Sequence, residues 1–334
     1  MADPNQTEPC LNTKHWSDPI LVVAFSFIFI LGLVFNILAL VFFFRFTKIR
    51  SQTTIYMKNL ACADLLLVAS LPMRISFYVN RQPFHLLVCE LNGLIFLVNM
   101  YGSIFFLTCI SLDRCVAICF PMKSRLNEFR NRARWISAAV WALVIGASIP
   151  PYLMVKLRAI NESCNLCFDK KPKYVTNPMT VAPTLLIGYG IPLTTMLVCS
   201  LALLRGVRRS SATRMDYVDW RKIRNMVVAN MVIFIICFFP YHTVLLLNSI
   251  SQNKSKQHVL LVIYRATMSL ACCNAMLDPI AYYFATETFQ KSVGMKALKN
   301  ALTSNTDSVE GNNRSLSPSI LHGGAEAWCG EERI

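Results

Sequence analysis

The chain has 334 residues, 54% hydrophobic and only 15% charged, with Lys+Arg 33 against Asp+Glu 18 and a formal net charge of +15. So large an apolar share excludes an ordinary soluble domain, and seven long apolar stretches with short loops nearly exhaust the length. The positive charge falls mostly in the loops between those stretches, where it suits an anionic membrane surface, and nothing in it calls for nucleic acid.

Residues 1–19 are polar, and no basic flank or small-residue cleavage site precedes the first apolar stretch, so a retained signal anchor with an external N-terminus is expected. The apolar stretches begin near Ile20, Ile55, Leu87, Trp135, Met179, Met226 and Val259. Each is long enough for an α-helix to cross about 30 Å of hydrocarbon at 1.5 Å per residue. The expected fold is all-α, a seven-transmembrane-helix bundle over residues 20–284. An interfacial eighth helix follows over 285–300, where Phe289 and Val293 share one side and Lys291 and Lys296 are free to reach headgroups. The serine-rich segment 301–334 reads as a disordered cytoplasmic tail.

Loop charge gives the orientation. Arg45, Lys48 and Arg50, then Lys123, Arg125, Arg130, Arg132 and Arg134, then Arg205, Arg208, Arg209, Arg214, Arg221, Lys222 and Arg224 mark three cytoplasmic loops. Glycosylation sequons at Asn5, Asn161 and Asn253 all fall on the opposite, outer side. The outer fourth loop is also basic, with Lys156, Arg158, Lys170, Lys171 and Lys173; it is either a plain solvated loop or a lure for an anionic ligand. Most of the 13 cysteines lie inside spans, where a free thiol behaves as a small hydrophobe. Cys10, Cys89, Cys164 and Cys167 lie at the oxidising outer face, and Cys89 could reach either cysteine of the fourth loop.

Ionisable groups inside spans are costly and so mark function. Asp64 and Asp278, with Asn99, Ser103 and Asn274, make a hard-oxygen set of the type that takes a small cation such as sodium; a protonated structural Asp is the plain alternative. Asn36 is a further candidate partner for Asp64. Arg114, beside Asp113 at the inner end of the third span, can snorkel and pair. Pro192, Pro240 and Pro279 interrupt spans five, six and seven and are expected to kink them. No enzyme motif, zinc spacing or transporter-like inverted repeat is present, and the seventh span holds no lysine between Lys256 and Lys291 for a retinal Schiff base.

These residues resemble the rhodopsin-like G protein-coupled receptors over roughly 20–298. The resemblance is carried by Gly32 and Asn36, the run Asn59 to Asp64, Cys89, Asp113-Arg114, Trp141, Pro192, Cys237 to Pro240, and Asp278-Pro279 with Tyr282. Leu71 to Arg74, Asn99 to Ser103, Cys167-Phe168 and Leu277 to Phe284 look like the purinergic-related branch with its lysophospholipid receptors. Ala229 to Tyr241 looks most like the lysophosphatidic acid receptors, the fifth subtype in particular. Cys115, Phe238 and Asp278 depart from the commonest family motifs, where tyrosine, tryptophan and asparagine stand.

The resemblance implies a plasma-membrane receptor with no enzymatic activity, whose ligand is a lysophospholipid, most similar to lysophosphatidic acid, and which signals through heterotrimeric G proteins and recruits arrestin to its tail. A nucleotide or another lysolipid is the alternative ligand, and a transporter the remote one. It also implies disulfides Cys89–Cys167 and Cys10–Cys164, and an allosteric sodium ion at Asp64, Asn99, Ser103, Asn274 and Asp278. Asp113, Arg114, Phe238, Pro240 and Tyr282 would form the activation switch. Arg74, about three turns above Asp64 in span two, would anchor the phosphate, helped by Arg265, Lys156 and Arg158, with Tyr101 and His242 deeper and Phe96, Leu97 and Met100 lining the acyl slot.

Overall fold

Backbone groups in a bilayer must be satisfied within the segment, so the long apolar stretches become helices. The computed structural model describes residues 16–45, 52–80, 86–120, 128, 130–159, 168, 175–211, 220–250 and 257–285. Helices α1 (Asp18–Arg45), α2 (Gln52–Asn80), α3 (Leu86–Cys119) and α4 (Ala133–Ala159) are the first four spans. The fifth is built from α5 (Pro178–Pro183), a π-helical segment Thr184–Gly190 and α6 (Ile191–Ser211). The sixth is α7 (Trp220–Ile250), and the seventh is α8 (Gln257–Cys272) followed by α9 (Asn274–Ala285). Seven helical stretches are long and apolar enough to cross a membrane, and no strand occurs among the described residues. The all-α seven-span expectation holds; the observed starts lie close to the expected ones except in the sixth span, where the helix begins at Trp220, ahead of the expected Met226.

The surface is inverted relative to a soluble protein. Val23, Phe27, Ile30 and Phe44 of α1 face outward, as do Leu186, Ile187 and Val198 of the fifth span, while Asn36, Asp64, Asn99, Ser103, Asn274 and Asp278 are buried. Helices apolar all round suit lipid outside and a polar seam inside.

Prolines shape two spans. Pro279 has no N–H for the carbonyl of Ala275 one turn earlier, and that carbonyl accepts from Asn36 Nδ2 of α1 at 2.6 Å. The same amide nitrogen donates to Gly32 O at 2.9 Å. Gly32 allows the approach, because a Cβ there would lie 2.8 Å from Val68 Cγ2. Asn36 therefore ties span one to span seven, while α9 resumes after a turn at Cys273, whose N–H donates to Leu270 O. Pro192, expected to kink the fifth span, stands where the chain widens: Ile191 N–H reaches back to Leu186 O across the π turn, and the proline enters in the first turn of α6. Pro72 lies within α2 and Pro240 within α7.

Spans two, three and four meet at a second tie. Trp141 Nε1 donates to Asn59 Oδ1 at 2.9 Å, Asn59 Nδ2 caps Ile55 O at 2.8 Å, and Phe106 packs edge-on against the indole. Cys89 is disulfide-bonded, whereas Cys10, Cys164 and Cys167 lie outside the described residues. Also outside them are Asn5, Asn161 and Asn253, the expected eighth helix beyond Ala285, and the tail 301–334.

Replacing Asn36 by Ala orphans the Ala275 carbonyl in a buried place. We expect a stability loss of about 1–3 kcal/mol, read as a lower midpoint when purified receptor is heated with a thiol-reactive dye that reports its buried cysteines.

Candidate functional site

At one end of the bundle, Arg74 of α2 is a buried guanidinium, 1% exposed. Its Nη1 lies 3.7 Å from Met268 Sδ, its charge sits 4.5 Å from the Phe168 ring centroid and 5.5 Å from that of Phe96, and its Nε has no hydrogen-bond partner. No carboxylate pairs with it among the described residues. Cation–π contacts and a thioether recover only part of what the charge loses on leaving water.

Arg265 of α8 is equally buried but differently placed. Its Nη2 donates to the Phe168 carbonyl at 3.2 Å, and Nη1 lies 3.9 Å from Asp18 Oδ1 in the first turn of α1. Phe168 thus gives its ring to one arginine and its carbonyl to the other, from a left-handed backbone (φ 60) that costs a non-glycine residue about 1–3 kcal/mol. An edge-on contact with Phe77 fixes the ring.

Below this lies an aromatic stack. His242 of α7 stands face to face with Tyr189 at 4.2 Å and edge-on to Tyr101 and Tyr241. Its Nδ1 is 2.8 Å from Phe238 O, which must accept, so Nδ1 carries the proton; Nε2 is buried with no hydrogen-bond partner. The π segment presents Tyr189, and Gly188 lets the chain lie on Tyr101, since a Cβ there would be 2.8 Å from the ring. Tyr189 stacks in turn on Phe234, which meets Phe238. Phe96, Leu97 and Met100 are buried on α3. Lys156 and Arg158 fall in the last turns of α4, and their side chains lie outside the described residues.

Mid-bundle, the expected carboxylate cluster assembles. Asn99 Nδ2 donates to Asp64 Oδ1 at 3.1 Å, Asn274 Nδ2 to Asp278 Oδ2 at 3.4 Å, and Asp64 has Ser103 and Asp278 among its polar neighbours. Asp64 Oδ2, Asp278 Oδ1, Asn274 Oδ1 and Ser103 Oγ are buried without a full hydrogen bond. Asn36, a candidate member, spends its amide on Ala275 instead.

At the opposite end, Asp113 does not take Arg114 as its partner. Its Oδ1 receives Arg130 Nε at 2.7 Å and its Oδ2 the Thr53 hydroxyl at 2.5 Å. Arg114 is left with Nε unbonded and no ion pair among the described residues. Phe238 and Pro240 lie in α7, Phe238 wholly buried; the Tyr282 side chain lies outside the described residues.

Residues 35–282 match the family described as 7 transmembrane receptor (rhodopsin family). The chain belongs to that family. It is a multi-pass membrane receptor, and its family is not one of enzymes.

Among curated relatives, lysophosphatidic acid receptor 6 of Homo sapiens is 34% identical over 284 residues, 81% of this chain and 82% of the relative. Lysophosphatidic acid receptor 4 of Homo sapiens is 37% identical over 283 residues, 82% of this chain and 76% of the relative. Lysophosphatidic acid receptor 5 of Bos taurus is 33% identical over 294 residues, 83% and 78%. The likeness is thus to the group, and these identities do not set the fifth subtype apart.

Sequence reasoning overlooked Asp18, Tyr189, Thr53 and Arg130 as partners. Asp18, an acid beside the first span, was the one legible signal; the others needed the packing. Thr53→Val removes a donor from Asp113 and loosens α2 from α3. Ligand-independent nucleotide exchange on a G protein should rise several-fold, the scale of about 1 kcal/mol, in membranes with matched receptor content.

Proposed function

We propose that this receptor binds an extracellular lysophospholipid, lysophosphatidic acid foremost, and that binding shifts its bundle toward a state that activates heterotrimeric G proteins. The observation that carries the reading is Arg74, a buried cation that among the described residues meets two rings and a sulfur and pairs with no carboxylate. A phosphate offers oxygens to the guanidinium fork and restores the missing countercharge. The relatives, which are lysophosphatidic acid receptors, supply the lysophospholipid class.

In this reading Arg265, already held by Asp18 and the Phe168 carbonyl, positions Phe168 and adds positive potential. Lys156 and Arg158 draw the anion in, and the acyl chain runs along Phe96, Leu97 and Met100 toward Tyr101 and His242. The Arg74 end is extracellular, the N-terminus outside and the C-terminus cytoplasmic, as the loop arginines and lysines favour. The disulfides Cys89–Cys167 and Cys10–Cys164 would tie the outer loop and N-terminus over the mouth. Asp113, Arg114, Phe238, Pro240 and Tyr282 would carry the change to the G protein face, and arrestin would read phosphates on the tail.

Sodium suits the mid-bundle cluster, because Asp64 and Asp278 bring two carboxylates together with acceptor oxygens left over. Asp64, Asn99, Ser103, Asn274 and Asp278 would hold the ion, whose charge would neutralise the carboxylates and favour the inactive arrangement.

Arg74→Ala should shift the lysophosphatidic acid dose-response by on the order of a hundredfold or more, the scale of truncating one partner of a buried charge pair, with surface expression retained. Arg74→Lys should rescue only part, since the fork is lost. An unchanged dose-response in Arg74→Ala rules out the ligand assignment. For the ion, Asp64→Asn should abolish the dependence of agonist affinity on NaCl against a choline chloride control, whereas wild type binds agonist more weakly as sodium rises.

A further inference from the structure

Beside Asp113 lies a small, partly open crevice of ≈ 30 Å³, lined by Tyr56, Cys109, Leu112, Asp113, Val116, Arg130 and Ile136. Its walls, from α2, α3, the start of α4 and Arg130 just before it, are mainly apolar, with Leu112, Val116 and Ile136 the aliphatic members. Its polar feature is the pair made by Asp113, 3% exposed in its side chain, and Arg130, 25% exposed. Asp113 uses only Nε of Arg130, and no described residue takes the Nη donors. A guanidinium has five N–H donors in a fixed fork, so the Nη edge remains for a second anion.

The surroundings fit one occupant. Arg132 and Arg134 are exposed next to Arg130, with the exposed Glu128 as the nearest opposing charge in sequence. Trp135, 79% exposed, stands at the foot of α4, where an amphipathic indole belongs at headgroup level. Cation, interfacial aromatic and aliphatic crevice together match headgroup phosphate, glycerol level and acyl chain.

We propose that this crevice binds an anionic phospholipid of the adjacent leaflet, its phosphate on the Nη edge of Arg130 and part of an acyl chain against Leu112, Val116 and Ile136. The lipid leaves the Nε bond to Asp113 in place and steadies it, so the headgroup buttresses the same carboxylate that Thr53 holds from the other side. This rests on the orientation proposed above only in naming the leaflet cytoplasmic; lipid retention is read without reference to orientation or to the ligand.

The test is native mass spectrometry of full-length receptor released from nanodiscs of phosphatidylcholine with phosphatidylserine. Wild type should retain phosphatidylserine in excess over phosphatidylcholine. Arg130→Gln, which removes the charge, and Ile136→Trp, which fills the crevice with every arginine intact, should each lose that excess. Equal retention of the two lipids by wild type overturns the proposal. So does an undiminished excess in Ile136→Trp, which would reduce the effect to a general basic surface. Displacement of the retained lipid by inorganic phosphate would overturn it too, since the site would then be a phosphate site without a chain slot.

Discussion

The bundle depends on one hydrogen bond made by a carbonyl that proline has set free. Pro279 cannot donate to Ala275, and Asn36, brought close by Gly32, donates instead. A buried carbonyl left unsatisfied costs about 1–3 kcal/mol, so the asparagine offsets what the proline removes. That bond fixes α1 against α9, and the position of α9 in turn places Asp278 beside Asp64. The polar cluster follows from how the seventh span recovers from its own interruption.

The distribution of charge follows the same logic. Arg265 has Asp18 and a carbonyl, Asp113 has Arg130 and Thr53, and the paired acids have amides around them. Arg74 is different, because its surroundings are rings and a sulfur. Arg114 also lacks an ion pair among the described residues, but it stands beside Asp113 at the opposite end of the bundle; at the end where Arg265 and Phe168 lie, Arg74 is the cation left to weaker contacts, and the proposed headgroup would supply its anion.

The spans were legible because about twenty apolar residues in a row have few other readings. Asp64 and Asp278 were legible because a carboxylate in such a run stands out. The pairing of Arg130 with Asp113 was not: an adjacent arginine, Arg114, offered an obvious partner, and only packing shows that Arg130 reaches back from beyond the third span. The Asp18 contact with Arg265 spans most of the sequence and leaves no periodic trace. Pro192 announced an irregularity, and the structure adds the π turn that precedes it. Lys156, Arg158 and Tyr282 remain readings of the sequence, with their side chains outside the described residues.

The left-handed backbone at Phe168 bears on kinetics. Its ring already strips water from Arg74, so the dehydration of that cation belongs to folding and is complete before any ligand arrives. On the proposed reading, an entering anion would shed only its own hydration shell and find the guanidinium preorganised, which favours tight binding by a small headgroup. Its departure would bring the ring back against the cation, so Phe168 would govern residence time more than contact area.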